Sequence, residues 1–176
     1  RILGSLRTSL ITSPSNGRLP GMTEEAQTLA AAARRDAELN FGIEVRPLSE
    51  RCIMGFNSGP PMLPSAYNNN VQLVQSGEHV VIHNEMVHNA RIVRMNSREH
   101  RETPRKWEGD SIGRWDGDTL VVETRFFAGA TSFMNSSENM ELLEKFWLID
   151  EDSLGYEFTV TDPTRWKESW TAMFPM

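Results

Sequence analysis

A chain of 176 residues with 18 basic and 24 acidic side chains carries a net charge of −6, which supplies no broad positive field for a phosphate backbone and excludes nucleic acid as an expected partner. With 39% hydrophobic and 24% charged residues the composition is that of a soluble globular protein, and the length favours one domain spanning residues 1–176. A single cysteine, Cys52, excludes an intrachain disulfide and a multi-cysteine zinc site, and no apolar run reaches the roughly 20 residues of a membrane helix.

Residues 1–22 read as an extended arm punctuated by the turn signals SPSNG and LPG. The chain begins at Arg1 without a charged segment leading into an apolar core, so it is expected to be a processed product or a fragment. Residues 23–40 read as a helix. Thr23 can cap it, Glu24 and Glu25 occupy its first turn, and the Ala-rich run with Arg34 and Arg35 ends at Asn40, before Gly42. Cys52 reads as a small buried apolar side chain, with a reactive thiol or a dimer bridge as alternatives. Residues 55–70 hold three prolines and a row of asparagines, a composition that resists helix and sheet and predicts a long loop.

From residue 71 the pattern is that of strands: Val71 to Gln75, His79 to Asn84, Arg91 to Met95, Thr119 to Thr124, Glu141 to Ile149 and Leu154 to Thr161. Ser76-Gly77, Asp116-Gly117 and the acidic stretch Asp150 to Ser153 separate them as turns. NSREHRETPRK, Asn96 to Lys106, is basic but interrupted by Glu99 and Glu102 and reads as a solvated loop. Short connections favour antiparallel neighbours, so the expected fold is mainly β: residues 71–176 as an antiparallel meander closing into a lipocalin-like β-barrel that the helix plugs or flanks.

Within these strands some polar residues fall on faces that should be apolar. In MELLEKFWLI the face holding Leu142, Phe146 and Leu148 also holds Glu144. A carboxylate there needs a cation or hydrogen-bond donors, acquires a raised pKa suited to acid/base catalysis, or is turned outward by a bulge. In HVVIHNEMVHNARIV, His79, Val81, His83 and Glu85 share one face, while His88 and Asn89 read as a turn that brings Glu85 near Arg91. His83, Glu85 and His88 resemble a two-histidine, one-carboxylate ligand set, but HxExxH on a strand and turn is not a helical metal motif, and neither metal nor cofactor is expected. GDSIG, Gly109 to Gly113, fits GxSxG but leads into a strand and an Asp-Gly turn rather than a helix, so it is rejected as a nucleophile elbow. The five tryptophans read as core packing or as an aromatic ligand surface, with Trp115 covering one end of the core.

At AYNNNVQLVQ, EMVHNARIV, GDSIGRWDGDTLVVET and YEFTVTDPTRW, followed by WTAMFPM, the chain resembles a large family of uncharacterised proteins from soil and environmental bacteria. The resemblance covers most of the chain. It implies a periplasmic or extracellular setting, since those proteins commonly begin with a secretion signal, and it supplies no activity. Positions matching Glu85, His88, Arg91, the GRW-x-GDTLVV hairpin, Glu144 and the terminal WT segment are characteristic of the family pattern.

Three functions follow as expectations. The first is an exported enzyme performing acid/base chemistry on a small organic substrate as a hydrolase, lyase or isomerase, with Glu85, His88 and Glu144 transferring protons and Arg91 orienting a carboxylate or stabilising an oxyanion. The second is a non-catalytic protein whose barrel mouth holds a small ligand through Tyr67, Asn70, His83 and Trp115. The third is an assembly role, in which the terminal segments make a homo-oligomer.

Overall fold

The computed structural model describes residues 8–40, 42–129, 131 and 133–176; residues 1–7 of the expected arm lie outside this range. The arm contributes a short strand, β1 (Ile11–Ser13), and the Ala-rich run forms α1 (Glu24–Leu39). The Thr23 hydroxyl accepts the Ala26 N–H at 3.1 Å, as an N-cap should. Of α1 only Ala26 is buried, because EEAQTLAAAARRDAEL has no wide stripe of large apolar side chains to offer the core. The helix therefore flanks the body and does not plug it.

Eight further strands follow: β2 (Val71–Ser76), β3 (His79–Asn84), β4 (Ala90–Met95), β5 (Asp110–Asp116), β6 (Thr119–Arg125), β7 (Glu141–Leu148), β8 (Leu154–Thr161) and β9 (Trp170–Pro175). Gly77 and Gly117 adopt φ of +53° and +57° in the tight turns joining β2 to β3 and β5 to β6, a conformation glycine enters without steric cost. Alternation behaves as expected along β3, where Val80, Ile82 and Asn84 are buried, and along β8, where Tyr156, Phe158 and Val160 are buried. These side chains join Val93, Val122, Leu142, Phe146 and Trp170 in one continuous core. Leu148, expected on the inner face, is 73% exposed because β7 ends there.

Two expectations about the sheet are corrected. It is not a pure antiparallel meander, because β4 and β5 pair in parallel from Val93 opposite Ser111 to Met95 opposite Gly113. The basic segment 96–109 between them is long enough to carry the chain back to the end from which β4 started, which a tight turn cannot do. Nor does the sheet close. Among the described residues its order is β1-β9-β8-β7-β6-β5-β4-β3-β2, with β1 and β2 as open edges. It nevertheless curls, since Val71 and Leu73 of β2 share a cleft with Leu154 of β8 and Phe174 of β9, from the opposite end of the strand order. Leu63, Pro64 and Asn68–Asn70 of the long loop line that same cleft. A segment containing Pro60, Pro61 and Pro64 lacks the N–H groups a strand would need, so it lines the seam without closing the ladder.

Candidate functional site

Arg91 lies on the inward face of β4 with Val93 and Met95, and Glu144 lies on the inward face of β7 between Leu142 and Phe146. The core brings them together. Glu144 is 0% exposed and Arg91 4%, and the guanidinium forks onto the carboxylate: Nη1 donates to Oε2 at 2.5 Å and Nη2 to Oε1 at 2.9 Å. The Tyr156 hydroxyl, opposite Phe146 on β8, donates to Glu144 Oε1 at 2.7 Å and accepts the Met62 N–H at 3.1 Å. Nη1 of Arg91 lies 3.4 Å from Thr124 Oγ1, which is 2.9 Å from Ser111 Oγ.

Burial works against the Arg91 charge, but the adjoining Glu144 carboxylate outweighs it and holds the pKa above its ordinary value. For Tyr156 burial and then the same carboxylate act together, pushing the phenol well above its usual range, so it stays a donor. Both Glu144 oxygens are engaged, and the arrangement is a closed ion pair supported by a phenol. Ser111, the serine of GDSIG, sits on β5 within this buried set, consistent with a strand residue rather than a nucleophile elbow.

The other residues picked from the sequence lie elsewhere. After Asn84 the chain leaves the strand, and Glu85 and His88 are both exposed. Glu85 Oε2 accepts from the Asn70 side chain at 3.0 Å and from its backbone N–H at 3.3 Å. Val87 and His88 hold φ of +50° and +54°, a left-handed pair at which a β-branched residue is strained. His83 is half-buried, and Tyr67 is exposed with its ring tilted against Phe56 at 6.0 Å. Trp115, expected to cover the core, is 49% exposed at the β5–β6 hairpin. Cys52, expected to be buried, is exposed in a turn where its φ is +54°. Among the described residues no three His, Cys, Asp or Glu side chains are grouped to hold a metal ion.

The cleft at the seam has a volume of about 470 Å³ and is lined by Asn57, Met62, Leu63, Pro64, Asn68, Asn69, Asn70, Val71, Leu73, Asn84, Leu154, Phe174, Pro175 and Met176. No family model, curated protein or solved structure compared with the chain matches it. The cleft must therefore be read from its own chemistry. Its walls are apolar, with Phe174 among them, and amide, and among the described residues no ionisable side chain lines it. Asn57 is 6% exposed, and its amide nitrogen faces Ser65 Oγ at 2.8 Å and the Asn68 carbonyl at 3.3 Å. Those acceptors fix the amide's orientation and leave Asn57 Oδ1 buried without a partner.

Three contributors were not singled out in the sequence. The Tyr156 hydroxyl was hidden in an apolar face, although a buried phenol must find a partner and so carries a signal. Asn57 sits in a loop whose composition announced irregularity and no more. Glu108 precedes β5 and places Oε1 in a buried position without a hydrogen bond. Burial raises its carboxyl above the ordinary range, outweighing the opposing Arg91 charge, a hydrogen bond from Asn89 and the Lys106 charge.

Proposed function

We propose that the protein binds a small uncharged organic ligand in the cleft between β2 and the β8–β9 end of the sheet. The observation that carries this reading is the chemistry of the walls: amides that give and accept hydrogen bonds, apolar surface that includes Phe174, and no ionisable side chain among the described residues. At about 470 Å³ the cleft lies within the roughly 300–1,000 Å³ of small-molecule sites. The curl of the sheet around this opening gives the reading a barrel-like mouth, and an exported setting follows from the family resemblance alone. The test is a ligand-observed NMR screen of neutral amide-bearing and aromatic fragments. Hits that persist in His88→Ala and vanish in Leu63→Arg, which drives a long charged side chain into the cleft, support the reading; an absence of hits, or hits indifferent to Leu63→Arg, refutes it.

A second reading, acid/base catalysis on an organic substrate, is favoured by Glu108, whose unpartnered oxygen and raised carboxyl suit a proton donor near Arg91. It requires product formation from a screened compound that Glu108→Gln abolishes without unfolding the protein.

A further inference from the structure

The two open edges of the sheet are built differently. β1 has three residues, a register shift between Ile11 and Ser13, and Pro14 directly after it. These are devices that discourage further strand pairing. β2 carries none of them: Val71, Gln72, Leu73, Val74, Gln75 and Ser76 contain no charge and no proline, and all six pair with β3 in unbroken register.

The direction of its free backbone groups follows from that register. The Gly77-Glu78 turn makes Ser76 and His79 a hydrogen-bonded pair, and such pairs alternate along an antiparallel ladder. Gln72 and Val74 therefore bond to β3, while the N–H and C=O groups of Val71, Leu73 and Gln75 point away from it. Two contacts just beyond the ladder have the same parity. Glu85 N–H donates to the Asn70 carbonyl at 2.9 Å, and Asn84 N–H turns away from β2 to donate to the Asn89 carbonyl at 2.7 Å. Val71 and Leu73 also line the cleft, so one strand presents outward backbone and cleft wall together. Exposed carboxylates stand at its two ends, Glu85 beside Asn70 and Glu78 in the turn, and neither forms an ion pair among the described residues.

We infer that the open edge of β2 takes up an extended peptide as an additional strand, its uncharged centre laying alternate side chains into the cleft and its basic ends meeting Glu78 and Glu85. Strand addition is selected by main-chain hydrogen bonds for affinity and by pockets for alternate side chains for specificity. Here the outward N–H and C=O groups of Val71, Leu73 and Gln75 supply the first, and the cleft beside Val71 and Leu73 gives room for the second. The inference rests on the cleft being a binding site and names the class of ligand that reaches along it.

The test uses the full chain and a library of acetylated, amidated heptapeptides with lysine at both ends and five central positions drawn from Val, Leu, Ile, Thr, Ser and Gln. The expected result is enrichment of binders whose apolar residues alternate. The best binder should weaken about tenfold or more when alternate backbone nitrogens are methylated. It should weaken comparably on Gln75→Pro, which removes an outward N–H while leaving the β2–β3 ladder bonds in place. Thermal unfolding of Gln75→Pro close to wild type keeps this a statement about the edge, and Leu73→Lys supplies a second variant that leaves the backbone alone and charges the cleft wall. No enriched peptide, or binding indifferent to both methylation and Gln75→Pro, overturns the inference. So does sedimentation showing a wild-type dimer that Gln75→Pro dissociates, since the edge then belongs to a second copy. Gln75 does not line the cleft, so small fragments that still bind while peptides do not would refute strand addition and leave the cleft reading intact.

Discussion

Replacing Glu144 with alanine leaves the Arg91 guanidinium, 4% exposed, without the carboxylate it forks onto. Three hydrogen bonds to a carboxylate disappear at once, two from Arg91 and one from Tyr156. An uncompensated buried charge costs about 3–5 kcal/mol. For a chain of this size, where one kcal/mol moves Tm by about 2–4 °C, that is a fall of roughly 6–20 °C. Removing both partners, as Arg91→Met with Glu144→Leu, eliminates the charge rather than stranding it. The double variant leaves the Tyr156 hydroxyl short of an acceptor, at about 1–3 kcal/mol, although that hydroxyl still accepts the Met62 N–H, and it takes the Arg91 donor from Thr124 Oγ1, which keeps Ser111. The double variant is therefore expected to be more stable than Glu144→Ala, with a coupling of at least about 2 kcal/mol in the cycle completed by Arg91→Met and Glu144→Leu. Urea unfolding followed by tryptophan fluorescence reads all of these. A loss below about 1 kcal/mol in Glu144→Ala, or simple additivity in the cycle, would refute the account of the pair as a mutually dependent buried unit.

The remaining expectations concern neighbouring groups. Tyr156→Phe should cost about 1–3 kcal/mol by leaving Glu144 Oε1 and the Met62 N–H each one partner short, measured in the same urea series. The raised carboxyl of Glu108 contributes stability that is fully present below the unfolded carboxylate pKa, about 4.3, and is lost as pH rises through the folded value. Glu108→Gln should thus be more stable than wild type at neutral pH, and thermal scans from acid to neutral pH that show it less stable there would contradict the burial argument. Asp110 is the opposite case: burial acts to raise its carboxyl, but the Arg101 N–H and the Arg94 and His100 side chains outweigh it and hold it below the ordinary range. Its contribution is present above the unfolded value, about 3.9, and fades as pH falls through the folded one, so Asp110→Asn should lose stability at neutral pH and converge on wild type in strong acid. Gly155→Ala would set a Cβ 2.3 Å from Trp147 Cε2, and a loss of about 1–3 kcal/mol with a changed near-ultraviolet tryptophan signal is expected.

What the amino-acid order determined by itself was local. A two-residue period places Glu144 with Leu142 and Phe146, and Tyr156 with Phe158 and Val160, whatever the rest of the chain does. That period was enough to mark Glu144 as a carboxylate among apolar neighbours, and it left a cation, hydrogen-bond donors, a raised pKa or an outward bulge as alternatives. It did not extend to Glu85 and His88, because the chain leaves the strand after Asn84 and alternation ceases to predict direction in a turn. Composition likewise announced the helix cap at Thr23 and an irregular loop over residues 55–70. The identity of the cation, the donation from Tyr156, the parallel pairing of β4 with β5 and the seam that keeps the sheet open were decided only by tertiary structure. Each depends on which segments meet across long separations in sequence, and the path of a loop such as 96–109 or 55–70 sets that meeting without leaving a periodic trace in its residues. The cleft and the unblunted edge of β2 belong to the same class: Asn57, Val71 and Phe174 have nothing in common until the sheet curls and brings them to one wall.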